Sequence, residues 1–158
     1  MTITDPTLLA ILKADILADP AFVGQFAEQI AAAYNLPAAP DWIVWKSSVD
    51  VDEITRNGID WTQVDNLTVG KARIWDWMTR LGNFNASKPN IRAGIEAAWV
   101  GTAQMLAVRA VVYTHCKRAA TRGEKLLSTG TGTTATPATM RFEGAMTHQD
   151  VEAAQQLP

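Results

Sequence analysis

The sequence predicts a mainly α protein: a small helical bundle, then a flexible Thr/Gly-rich arm with a short β strand near the C-terminus. Three observations carry this prediction. Apolar residues recur at spacings of three and four through much of residues 1–127, which sets them on single faces of helices. Ser, Thr or Asp, in places followed by proline, stands before these stretches, where a helix start needs an acceptor for its free N–H groups. From Ser128 to Thr139 the chain holds only Ser, Thr, Gly, Ala and Pro, which cannot bury enough surface to fold alone. At 158 residues the length fits one domain, divided here into a helical body, 1–127, and an extended arm, 128–158.

Asp5-Pro6 and Asp19-Pro20 each read as a cap followed by proline at the first helical position, where its missing N–H costs nothing. Leu8, Leu9, Ile11, Leu12 and Ile16 give the first helix its apolar face. Phe22, Val23, Phe26, Ile30 and Tyr34 do the same for a second, so residues 1–34 read as an antiparallel helical hairpin. Pro37 and Pro40 end it. Trp42–Trp45 is apolar without alternation, which fits either a buried strand or a helical turn. Ser48 can cap a short helix over 49–57, and Thr68 a longer one over 69–81 whose Ile74, Trp77, Met78 and Leu81 share a face. Trp75 and Trp77 cannot both lie on one side of it, which leaves one as an exposed interface anchor. Ser87 and Pro89 open a helix to about Val100. A long helix follows from Thr102 to Leu127, with Met105, Val108, Val112, Cys116 and Ala119 as a continuous seam and Gly123 marking a bend or a close packing site.

Beyond the arm, Thr139–Glu143 alternates like a short strand, and Thr147 caps a last helical turn or two. A structured segment behind a mobile arm docks elsewhere, on its own chain or on a neighbour. A terminal strand can add to another chain's sheet edge through main-chain bonds, which makes Arg141 and Phe142 candidate partner-binding residues.

Composition excludes several classes. Charged residues are 19% and the net charge is −2, which argues against a dedicated duplex-DNA binder and suggests a surface partly covered by a partner. The single cysteine, Cys116, excludes a disulfide framework or a thiolate metal cluster within one chain. The acidic start lacks the basic region of a secretory signal. The longest uncharged run in the most apolar stretch, Ala97–Val108, is short of the roughly 20 residues a membrane span needs, so a soluble protein without membrane partners is expected.

No constellation for catalysis, cofactor or metal emerges. Gly130 and Gly132 follow a helix and no lysine comes after them, unlike a phosphate-binding loop. Asp50, Asp52, Glu53, Asn57 and Asp60 break the calcium-loop pattern at Ile54 and Thr55 and are explained by helix N-termini. His115 and Cys116 point about 100° apart on a helix and form no dyad. Lys117, Arg118, Arg122 and Lys125 form a basic stripe, read either as placement near a helix C-terminus or as a surface for an acidic partner or nucleic acid.

Several stretches together resemble a known family: Leu12–Pro20 (LKADILADP), Trp45-Lys46 with Val49–Ile54 (VDVDEI), Trp61 to Trp77 with Leu67–Ile74 (LTVGKARI), Ser87–Gly94 (SKPNIRAG), and Ala120–Gly132 (ATRGEKLLSTGTG), followed by Pro137–Thr139, Phe142–Gly144 and Gln149–Val151. Across nearly the whole chain the sequence resembles small structural proteins encoded by tailed bacteriophages and prophages near capsid, portal and tail genes. The resemblance implies a head–tail adaptor at the virion neck, assembled in the host bacterial cytoplasm as a homo-oligomeric, dodecameric ring. Its implied partners are the portal protein and a tail or nozzle protein, with non-specific contact to packaged DNA. It brings no catalytic residues. Another phage component (tail completion, tail-tube-associated or capsid cement) remains open, as does a small non-virion DNA-binding protein or enzyme.

Overall fold

The structure, a computed structural model, describes residues 2–158. The chain divides into two compact units. Unit 1 is made from residues 1–44 and 119–158, and unit 2 from the intervening 45–118. In chain order the elements are α1 (Pro6–Ala18), a 3-10 turn (Pro20–Phe22), α2 (Ala27–Tyr34), β1 (Ile43–Trp45), β2 (Val49–Asp50), α3 (Val51–Arg56), α4 (Trp61–Asp65), α5 (Val69–Thr79), β3 (Asn83–Phe84), α6 (Pro89–Ala98), α7 (Ala103–His115), β4 (Lys117–Ala119), α8 (Arg122–Leu126), β5 (Ser128–Thr129), β6 (Thr139–Met140) and α9 (His148–Gln155). The protein is mainly α with a few short strands, as the sequence predicts. No described helix is long and apolar enough to cross a membrane.

Unit 1 begins as expected. Asp5 accepts the Thr7 N–H at 2.8 Å and Pro6 opens α1, so Leu8, Leu9, Leu12 and Ile16 turn into the core. The second Asp-Pro pair makes only a 3-10 turn, with Asp19 accepting the Ala21 N–H at 2.9 Å. Helix α2 starts later, at Ala27, and the predicted hairpin face splits: Phe22, Ile30 and Tyr34 are buried while Val23 and Phe26 are exposed. The space beside α1 and α2 is taken by α9, which packs against both.

Residues 128–158 are therefore not an arm apart from a body ending at Leu127. Phe142, Met146, Val151 and Ala154 lie in the same core as Leu12, Ile30 and Tyr34. Each such burial is worth about 1.5–3 kcal/mol for the larger side chains. Two buried carboxylates fasten the segment. Asp150, fully buried, accepts the Ile3 N–H at 2.6 Å with one oxygen and the Thr147 N–H at 2.8 Å with the other. Glu124, also buried, accepts from the Thr121 N–H at 3.0 Å and the Gly144 N–H at 3.1 Å. The strand expected over 139–143 is only Thr139–Met140, and its antiparallel partner is β5 of the same chain, with Ser128 opposite Met140 and Thr129 opposite Thr139.

The long helix expected over 102–127 ends at Cys116, whose N–H makes the last helical bond to Val112 O. There the backbone turns to extended pairing: the Lys46 N–H donates to Cys116 O at 2.8 Å in unit 2, and the Ala120 N–H to Trp42 O at 2.8 Å in unit 1. Gly123 is a close-packing site, where a Cβ would meet Met146 Cε at 3.1 Å and Tyr34 O at 3.4 Å.

Unit 2 surrounds Trp99, fully buried with Ile54, Ile95, Val108, Val112 and Cys116. β2 pairs antiparallel with β3, Val49 opposite Phe84 and Asp50 opposite Asn83. The short helix expected from Ser48 is capped instead by Asp50, which accepts the Asp52 N–H at 2.9 Å, because Val49 and Asp50 are already committed to the strand.

Candidate interaction surfaces

The predicted basic stripe is divided between the units. Arg122 and Lys125 lie on α8 in unit 1, whereas Lys117 and Arg118 lie on β4 in unit 2. Ending α7 at His115 removes the helical register that would have aligned them. Arg122 Nη2 donates to Asp19 Oδ2 at 2.7 Å and sits 3.3 Å from Asp15 Oδ2. Its guanidinium lies 4.8 and 4.9 Å from the Phe22 and Tyr34 ring centroids, a favourable cation–π arrangement. Tyr34 completes the cluster by donating its hydroxyl to Asp15 Oδ2 at 2.6 Å. The Arg122 hydrogen bond, then the Ala21 N–H, hold the Asp19 carboxyl below its ordinary range, while burial and the Asp15 carboxylate push the Tyr34 hydroxyl up. Lys125 donates to Ala39 O at 3.2 Å and lies 5.4 Å from the Trp42 ring. A hollow of about 470 Å³ opens beside Asp15, Leu36, Arg122 and Lys125, but its two cations are already engaged.

In unit 2, Lys117 sits 5.3 Å from the Trp45 ring and 5.6 Å from that of Tyr113, and Arg118 is half-buried. Of the two C-terminal candidates, Arg141 is exposed. Phe142 is buried in the unit 1 core, so it is no surface anchor: its predicted partner is its own chain.

Several other titratable groups of unit 2 are also locally engaged. Asp50 caps α3, and Asp60 caps α4 by accepting the Thr62 N–H and hydroxyl at 3.1 and 2.6 Å. The Thr62 hydroxyl chiefly lowers the Asp60 carboxyl. Asp52 pairs with Arg56. Glu53 faces Lys46 at 3.6 Å and His115 Nδ1 at 3.4 Å, while His115 Nε2 is 3.2 Å from Asn57 O. Among the described residues no three potential ligands converge as a metal site would require. Burial pushes the Cys116 thiol up to about 12, so the protonated, unreactive form prevails at neutral pH.

Much of the exposed apolar surface of unit 2 is on or just beyond α5, with Trp61, Val100 and Leu106 exposed elsewhere. Thr68 caps α5, its hydroxyl accepting the Lys71 N–H at 3.5 Å, and Gly82 follows the helix end at a φ of +77°. The expected face of Ile74, Trp77, Met78 and Leu81 exists, but it is largely uncovered: Trp77 is 73% and Leu81 85% exposed. The core is met instead by Trp75, edge-on to Trp99 with ring centroids 5.3 Å apart. Thus the divergence of Trp75 and Trp77 does leave one exposed tryptophan, Trp77. Helix α6 packs beside α5 at Gly94, where a Cβ would lie 2.7 Å from Met78 Sδ. Between them is a groove of about 420 Å³ lined by Gly70, Arg73, Ile74, Trp77, Ile91 and Gly94. Asp76 and Arg80 pair with each other at 3.0 Å. The Arg73 side chain is exposed and has no hydrogen bond or ion pair among the described residues.

No family model, curated protein or solved structure matches the chain. Sequence reasoning found the α5 tryptophans but not the groove, whose signal is the glycine at 94 opposite an apolar helix face. Aromatic side chains and arginine around an apolar concavity are the composition of protein-binding surfaces.

Proposed function

We propose that the protein is a structural component of a tailed-phage virion, a head–tail adaptor that forms a ring between the portal and the tail. The sequence resemblance gives this reading its direction. The observation that carries it within the structure is the uncovered α5–α6 face, where Trp77, Ile74 and Arg73 line an apolar groove. An exposed aromatic face of this kind is costly in water unless a protein partner covers it. The partners are the portal and a tail or nozzle protein, with copies of the chain side by side in a dodecameric ring.

The test is electron microscopy of this protein mixed with the portal from the same genome, together with quantitative mass spectrometry of purified particles. A ring on the tail-facing end of the portal, at matching copy number, is the expected result. Presence in particles at another copy number, without portal binding, would move the assignment to a tail or capsid component. Absence from particles would refute a virion role.

A further inference from the structure

Two exposed apolar features on this chain have complementary charge. In unit 2 the α5–α6 groove presents Trp77 and Ile74 beside the unpaired Arg73. In unit 1 the connection from α1 to α2 presents Val23, 81% exposed, and Phe26, 74% exposed, with Leu17 at the end of α1 also outside. Two residues beyond Phe26, in the first turn of α2, the Glu28 side chain is exposed and has no hydrogen bond or ion pair among the described residues. A wholly apolar occupant of the groove would strip water from Arg73 without replacing it, at a substantial penalty. The occupant therefore brings a carboxylate next to large apolar side chains, which is the chemistry of residues 23–28.

We infer that these two surfaces are halves of one contact between copies of the chain: Val23 and Phe26 of one copy seat in the α5–α6 groove of the next, and Glu28 pairs with Arg73. The two halves differ, so the contact is heterologous, and a pair of copies keeps one free groove, on one copy, and one free apolar corner, on the other. Repetition of such a contact closes into a ring when the rotation between copies permits it and otherwise continues as a filament. Ring closure rests on the adaptor reading above; the contact itself does not. With few side chains involved the pairwise contact is weak, in roughly the 10–500 μM range of transient interfaces.

Sedimentation velocity of the full chain from about 10 to 500 μM tests the contact, that range again being the one set by its small size. The wild-type chain should associate progressively. Trp77→Asp, which blocks the groove, and Phe26→Asp, which blocks the corner, should each weaken association at least tenfold. Both side chains are exposed, and circular dichroism checks that the fold is kept. Mixing the two variants should give a 1:1 heterodimer and nothing larger, because one intact groove then meets one intact corner. Arg73→Glu should abolish association, and Arg73→Glu with Glu28→Arg in the same chain should restore it. A wild-type chain monomeric throughout, a variant that associates like wild type, or a mixture that stays monomeric would overturn the contact. A chain that is monomeric alone yet binds the portal would overturn this contact and leave the adaptor reading standing. A self-associating chain absent from particles would do the reverse.

Discussion

Replacing Gly132 with alanine tests whether the Thr/Gly segment is docked or mobile. Gly132 adopts a φ of +65°, and a Cβ built there would lie 2.1 Å from Trp42 Cδ2 and 2.2 Å from Cε2, a severe clash with the indole. The segment is also held by the Ile43 N–H, which donates to Gly132 O at 2.8 Å, and by Trp42 Nε1, which donates to Ser128 Oγ at 2.9 Å. Alanine in the left-handed region costs about 1–2 kcal/mol. Forcing the indole aside adds about 1–3 kcal/mol, the usual cost of overpacking. The total is about 2–5 kcal/mol from these two sources. Gly24 and Gly82 supply the control: their φ values are +76° and +77°, with nothing within 4 Å of a built Cβ. Alanine at either should cost only the conformational part, about 1–2 kcal/mol. The assay is equilibrium urea unfolding followed by circular dichroism. Repeating Gly132→Ala in a Trp42→Ala background should return its cost to that of the controls, a coupling of about 1–3 kcal/mol. If Gly132→Ala costs no more than Gly24→Ala in the wild-type background, the indole does not stack on this loop and the segment is mobile after all.

Other outcomes follow from the same geometry. Phe142→Ala should destabilise the chain by about 3–5 kcal/mol, the range for a buried phenylalanine, and truncation after Leu127 should abolish the cooperative unfolding of unit 1 rather than leave a folded body. Asp19 has its carboxyl lowered in the folded chain, so its stabilising contribution is present above the ordinary value of 3.8 and is lost as pH falls below it; Asp19→Asn should flatten the acid limb of the urea midpoint below about pH 4.5. Cys116 behaves oppositely at the alkaline end. Its thiol stays protonated to about 12 when folded, against 9.0 ordinarily, so unfolding releases a proton in that window and stability falls as pH rises through it. Cys116→Ala should remove that part of the loss, and iodoacetamide should label Cys116 at pH 8 only after urea unfolding.

What was legible in the sequence was local. Asp5, Thr68 and Thr147 cap helices as predicted because a cap bonds to N–H groups two or three residues away. The exit from α7 at Cys116 was not legible, since Ala119 continues the apolar seam and the competing bonds come from Trp42 and Lys46, some seventy residues earlier in sequence. The Thr/Gly segment was misjudged for a similar reason. Composition weighs what a stretch can bury with its own side chains, whereas Pro137 and Ala138 are buried and Gly132 is covered by the Trp42 indole. Periodicity found the α5 face but cannot say whether a face is covered, and Ile74, Trp77 and Leu81 remain open to solvent.

The same distinction decides how partner binding should respond to salt. A stripe of Lys117, Arg118, Arg122 and Lys125 acting on nucleic acid would lose affinity steeply, with a log–log slope of about −0.9 for each phosphate neutralised. Of these cations, Arg122 is held by Asp15 and Asp19 and stacked on two rings, Lys125 is bonded to Ala39 O, and Lys117 lies on Trp45 and Tyr113. Each would have to give up these partners before gaining a new one. The open surface is instead apolar, with Arg73 as its one unpaired charge among the groove-lining residues described. Binding through it draws chiefly on burial of Trp77 and Ile74, which salt strengthens slightly, offset by screening of at most one new ion pair. Between 50 and 500 mM salt the affinity for a protein partner should therefore change by less than about tenfold, and Trp77→Ala should weaken it more than Lys125→Ala does. A steep salt slope that Lys125→Ala reduces would instead mean that the internal pairs open on binding and that the basic residues, not the groove, face the partner.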